Sequence, residues 1–201
     1  MKHLFKEGAS PSKPTFLLLH GTGGNEQDLL PLAQMIDPEA AVLSVRGNIL
    51  ENGMPRFFKR LAEGVFDEQN LEEETKHLAD FVDEAAAQYG FDRSNVIAIG
   101  YSNGANIAGS LLFRYQNVLK GAILHHPMVP VRGLSLPDLK QVPVFIGAGE
   151  NDPICPAEES KELKELLESA GAEVEIDWGQ NGHSLTQSEI EAARHWYMKK
   201  F

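Results

Sequence analysis

A single cysteine, Cys155, stands among 201 residues, which excludes an intramolecular disulfide and any zinc site built on several thiolates. Positive charge is scarce too: 18 lysines and arginines face 29 acidic residues, a net charge of −11, and no basic stripe interrupts the excess. Such a surface repels phosphate backbones and anionic lipids at long range, so neither nucleic acid nor membrane is expected as a partner. Long apolar runs are missing as well. The strongest, Phe16 to Leu19, is far too short to span a bilayer. Met1 to Pro14 carries Lys2, Lys6, Glu7 and Lys13 around Leu4 and Phe5, which does not read as an export signal. A cytoplasmic protein is expected. Internal repeats, low-complexity tracts and interdomain linkers are also absent, so residues 1–201 read as one domain.

What the chain does have is apolar material, 42% of its residues, and a length at which a compact fold buries roughly 70% of the unfolded surface. Thr15 to Leu19, Ala41 to Val45, Val96 to Ile99, Gly121 to Leu124, Val144 to Ala148 and Glu173 to Asp177 read as strands. Several are almost wholly apolar, the mark of a parallel sheet buried on both faces. The last alternates charge with Val174, Ile176 and Trp178, as an edge strand does. Helical patterns lie between them: from Asn70, with Glu73 completing a capping box, to Gly90; from Pro156 to Ala170, ending at Gly171; and from about Thr186, with Glu189 three residues on, through Tyr197. This alternation predicts an α/β fold. Gly47 to Gln69 is the longest stretch without a pattern, a candidate functional loop carrying Met54, Phe57, Phe58 and Phe66.

Gly100-Tyr101-Ser102-Asn103-Gly104 follows the strand Val96 to Ile99 and precedes a helical run, Ala105 to Tyr115. This is the G-x-S-x-G nucleophile elbow, a tight strand-to-helix turn that needs small residues around an exposed serine. A serine hydroxyl needs a nearby base, and on such a scaffold an acid and then a histidine should follow it along the chain. Asp152 lies just after the strand Val144 to Ala148, with Glu150 as the rival acid; His183 lies in the polar loop Gly179 to Ser184. The other six histidines have simpler readings: His3 near the terminus, His77 and His195 in helical patterns, and His20, His125 and His126 at strand ends that do not suit the order. His20-Gly21-Thr22-Gly23-Gly24, again after a strand, supplies small residues whose N–H groups can face a developing oxyanion. The expected donors are Asn103 and Thr22, with Gly23 as the alternative to Thr22, while His20 anchors the loop.

These motifs, together with Asn25-Glu26-Gln27-Asp28 and Gly147-Ala148-Gly149-Glu150-Asn151-Asp152-Pro153, resemble the phospholipase/carboxylesterase family, which includes acyl-protein thioesterases and bacterial carboxylesterases. Ser44-Val45-Arg46-Gly47, Glu51 to Phe58 and His125-His126-Pro127-Met128 are most similar to its bacterial hydroquinone-responsive carboxylesterases. The resemblance implies an α/β-hydrolase fold, a mostly parallel sheet flanked by helices without a large cap. It also implies Ser102, Asp152 and His183 as nucleophile, acid and base of a serine esterase, and an oxyanion hole at Thr22 and Asn103. Asn103 departs from the glutamine usual in acyl-protein thioesterases, which points away from long-acyl thioesters. No metal or organic cofactor is expected. Small or medium carboxylic esters are the expected substrates, with thioester or lysophospholipid cleavage, or a non-catalytic binding role, as alternatives. Phe57, Phe58, Met128 and Val129 are candidate pocket walls. Cys155 reads as a buried structural thiol, and Trp196 and Tyr197 leave a monomer and a homodimer equally open.

Overall fold

The apolar runs pair side by side, because a strand without polar positions is stable only between helices on both faces. In chain order the strands of the computed structural model, which describes residues 1–201, are His3–Lys6 (β1), Thr15–Leu19 (β2), Ala41–Val45 (β3), Ile49–Glu51 (β4), Met54–Arg56 (β5), Arg60–Ala62 (β6), Val65–Phe66 (β7), Val96–Tyr101 (β8), Gly121–His125 (β9), Pro143–Gly149 (β10) and Glu173–Gly179 (β11). The helices are Leu30–Ile36 (α1), Glu68–Tyr89 (α2), Asn103–Arg114 (α3), Ala157–Ser169 (α4) and Gln187–Lys200 (α5). Seven strands form one sheet in the order β1-β3-β2-β8-β9-β10-β11. Its neighbours run parallel except β1, which lies antiparallel on β3. All six expected strands are present, β11 lies at an edge as its alternating pattern predicts, and no large cap domain is inserted. The edge strand β1 and the short helix α1 carried no readable pattern.

Successive strand side chains point to opposite faces. Leu17, Leu19, Ala98 and Leu124 therefore join Leu78, Leu111, Leu163 and Leu167 of α2, α3 and α4 in one core. Phe16, Leu18, Ile97 and Ile123 join Leu32 and Ile36 of α1 and Trp196 and Tyr197 of α5 in the other. Trp196 and Tyr197 are thus core residues, 3% and 2% exposed, and offer no surface for a dimer.

Two local expectations change. Helix α2 is capped by Asp67, whose side chain accepts the Asn70 N–H at 3.1 Å, while Asn70 turns inward and its Oδ1 accepts the Lys59 N–H at 2.8 Å. The stretch 47–69 is not a loop: β4 with β5 and β6 with β7 make two small antiparallel hairpins.

Candidate active site

Parallel strands bring their carboxyl ends to one edge, and the turns there carry the candidate residues. At the end of β8 the chain bends so sharply that Ser102 is held at φ 52°, ψ −111°, a conformation few non-glycine residues adopt. The glycines on either side make the bend possible. A Cβ on Gly100 would stand 2.5 Å from the Gly104 oxygen, and one on Gly104 only 1.9 Å from the Leu19 oxygen. Helix α3 starts at once behind the serine and packs onto β8 and β2, and the Ser102 N–H is tied to the His125 carbonyl at 2.8 Å.

From this fixed point a chain of hydrogen bonds runs across three turns. Ser102 Oγ lies 2.9 Å from His183 Nε2, and His183 Nδ1 lies 2.8 Å from Asp152 Oδ2. An ionised carboxylate only accepts, so Nδ1 donates to it and leaves the Nε2 lone pair facing the serine. The Ile154 and Cys155 N–H groups donate to Asp152 Oδ1 at 2.8 and 2.9 Å, and the Tyr101 hydroxyl holds the His183 carbonyl at 2.6 Å. Burial pushes the Asp152 carboxyl up, but the Cys155 N–H, His183, the Ile154 N–H and His126 together hold it below the ordinary carboxylate range. It therefore stays ionised beside the imidazole. Glu150, the rival acid, is exposed and bonds to Gln180 instead.

The glycine loop after β2 closes the other side. His20 anchors it, donating from Nδ1 to the Gly21 carbonyl at 2.6 Å and accepting the Gly47 N–H on Nε2 at 3.1 Å. Thr22 and Asn103 both line the cavity over Ser102. Asn103 opens α3, so its N–H belongs to the first turn, which has no partner inside the helix. Gly23 is no alternative donor, because its N–H already bonds the Pro55 carbonyl at 2.9 Å.

That cavity holds about 270 Å³ and is walled by Arg56, Arg60, Phe66 and Met128 beside the residues above. Of the expected pocket walls only Met128 lines it. Phe57 and Phe58 are fully buried and belong to the core under the hairpins, and Val129, 2% exposed, faces a neighbouring hollow. Aromatic side chains on a surface segment bury themselves wherever the sheet leaves room, which is the larger gain in apolar burial. The sequence also missed the side chain that fixes this wall: Asn103 Oδ1 accepts the Phe57 N–H at 2.7 Å. Arg56 was missed as well. It is buried, bonds Thr22 Oγ1 at 2.7 Å and the Phe58 carbonyl at 3.1 Å, and shares Glu51 with Arg60. Cys155 lines the cavity floor with its thiol pushed far up by burial and by Asp152, so it stays protonated. His126, Asp152 and His183 bring ligand-type atoms within 4.8 Å of one another, but hydrogen bonds already engage each of them.

The model of the phospholipase/carboxylesterase family matches residues 3–200. The chain belongs to that family. It is 61% identical over 197 residues to the putative hydrolase MhqD of Bacillus subtilis, covering 98% of each chain. The crystal structure of a Bacillus cereus carboxylesterase, 65% identical, superposes with a TM-score of 0.99 over 100% of this chain and 95% of the other. Acyl-protein thioesterase 1 of Cryptococcus neoformans is 25% identical over 77% of this chain and 72% of its own length. The family's α/β-hydrolase fold, without a large cap, is the fold described above, and the chain is a hydrolase of the carboxylesterase group. No helix is long and apolar enough to cross a membrane.

Proposed function

We propose that this member of the family is a serine esterase cleaving small or medium carboxylic esters through an acyl-enzyme. The observation that carries the reading is the unbroken hydrogen-bond chain Ser102, His183, Asp152, of which Ser102 and His183 line the cavity and Asp152 is buried behind them. Ser102 Oγ attacks the ester carbonyl as His183 Nε2 takes its proton. The Asp152 carboxylate holds the imidazole in the Nδ1–H tautomer and stabilises its positive charge without taking the proton. The N–H groups of Thr22 and Asn103 face the oxygen on which charge develops; loss of one such donor typically costs about 3 kcal/mol of transition-state stabilisation. The imidazolium then protonates the leaving alcohol, and water repeats the sequence on the acyl-enzyme.

The acyl-protein thioesterase relative favours a second reading, thioester cleavage by the same groups. A cavity of about 270 Å³ walled by Arg56, Arg60 and Met128 suits a short acyl chain better than a long one. Two measurements test the proposal. A fluorophosphonate should label Ser102 and no other residue, and kcat/KM over aryl esters and thioesters of graded acyl length should peak at short chains. Protein that resists labelling and hydrolyses none of them is not this enzyme.

A further inference from the structure

Behind the acid of this site lies a second set of ionisable groups. Asp152 Oδ2, which accepts from His183, also faces His126 Nδ1 at 2.9 Å. His126 Nε2 stands 3.2 Å from Glu189 Oε2, and Glu189 Oε1 is bonded by His125 Nδ1. His125, His126, Asp152 and Glu189 are all buried. The arrangement is built rather than incidental. Glu189 comes from α5 and reaches the sheet only because Gly147 has no side chain; a Cβ there would lie 2.0 Å from Glu189 Oε1. The helix cap uses only the Glu189 N–H, on Thr186 Oγ1, so its carboxylate is free to turn inward. His126 is held at φ 53° with its N–H on the Gly147 carbonyl at 2.7 Å, which aims the ring between the two acids.

Hydrogen-bond chemistry fixes the proton count. Each ring nitrogen of His126 faces a carboxylate, and carboxylates only accept, so both nitrogens donate and the ring carries a positive charge. We propose that His126 and Glu189 are positioning residues of the reaction: Glu189 holds His126 as an imidazolium behind Asp152, which weakens the pull of Asp152 on the proton of His183. The inference rests on the esterase reading of Ser102, His183 and Asp152.

The surroundings agree. Burial pushes the Glu189 carboxyl up, but the bonds from His125 and His126 overcome it and hold it at about 2. Burial lowers the His126 imidazole, but Glu189 and then Asp152 outweigh it and leave it raised. Besides these, His126 is faced by the Tyr101 ring at 5.9 Å and the His183 ring at 5.1 Å. Around the pair, burial and then Glu189 raise the Asp177 carboxyl, while burial and then Asp152 raise the Cys155 thiol.

The sign follows from the geometry. A positive ring 5.1 Å from His183 disfavours a second positive charge there. Without it, positive charge on the general base meets less opposition, and activity is lost earlier on acidification. In Glu189→Gln and in His126→Asn, the acid limb of kcat/KM on a short aryl ester should therefore move up by about half a pH unit or more. In wild-type protein, nitrogen-15 spectra should show both His126 ring nitrogens protonated at pH 8. A limb that stays in place or moves down in folded variants overturns the proposal, as does a lower plateau with an unmoved limb, because support of the fold alone does that. If neither variant folds, the wild-type spectrum decides: one protonated nitrogen overturns the inference and two uphold it. Failure of Ser102 labelling would sink the esterase reading, while the His126 spectrum would report separately on the charge behind Asp152.

Discussion

On one side of the cavity, Ser102, Asn103, Asp152 and His183 stand at the carboxyl ends of parallel strands, with the Ser102 N–H on the His125 carbonyl, the Asp152 N–H on the Gly149 carbonyl and the His183 carbonyl held by the Tyr101 hydroxyl. On the other side, the wall is two short hairpins whose tips are open to solvent: Leu50 is 70% exposed, Leu61 74% and Val65 51%. The difference teaches where precision is kept. Groups that exchange protons need fixed distances, and the sheet supplies them through buried contacts. A wall that meets the substrate needs only shape, and a few anchors suffice. Those anchors are Phe57 and Phe58 in the core, Arg56 on Thr22, and the Gly23 N–H on Pro55.

Changes on the rigid side should be the most damaging. Ser102→Ala removes the proposed nucleophile and should lower kcat on a short aryl ester by about 10⁴-fold or more while thermal unfolding stays cooperative; near-normal turnover in that variant would place the chemistry elsewhere. Gly104→Ala forces a methyl group to within 1.9 Å of the Leu19 oxygen. Neither backbone segment has room to move, so urea unfolding should show a loss of about 3 kcal/mol or more. A mild effect would mean that the elbow is less constrained than its contacts imply.

The hairpin wall should respond in two tiers. Arg56→Gln removes the bonds to Thr22 and the Phe58 carbonyl and leaves Glu51 with one cation fewer. A stability loss of about 1–3 kcal/mol is expected, with kcat down about tenfold because Thr22 is no longer held. If kcat is unchanged, the glycine loop keeps its shape without this wall and the two sides are independent. Leu61→Ser, at an exposed tip, should change stability by less than about 0.5 kcal/mol and leave the short-ester kcat/KM as it is. A clear rise in KM would extend the substrate surface to the hairpin tips.

Legibility in the sequence followed the same division. Six of the seven sheet strands were readable because apolar runs, and in β11 an alternating pattern, are local signals. Ser102 was readable because the elbow needs its glycines within two residues. Asp152 and His183 followed from chain order on strands already placed, though choosing Asp152 over Glu150 needed a preference that only the distance to His183 tests. The hairpins were not readable, since strands of two or three residues around Pro55 and Gly64 have no period to detect. Phe57 and Phe58 were read as pocket walls because an aromatic residue in an apparent loop gives no sign of which way it faces. Glu189 was read as half of a capping box, a local role, and His126 as a strand-end residue. Their partnership joins positions 63 residues apart.

By itself the sequence determined the class of scaffold and pointed to Ser102 as the candidate nucleophile, with Asp152 and His183 as its expected partners, because strand patterns, the elbow and chain order are all legible along the chain. It also excluded disulfides and multi-cysteine metal sites by composition. Only the tertiary structure decided which N–H groups of the glycine loop remain free, which side chains wall the cavity, and what stands behind Asp152. Those answers depend on the packing of α5 and the hairpins against the sheet, contacts between residues far apart in the chain whose distances no local pattern encodes.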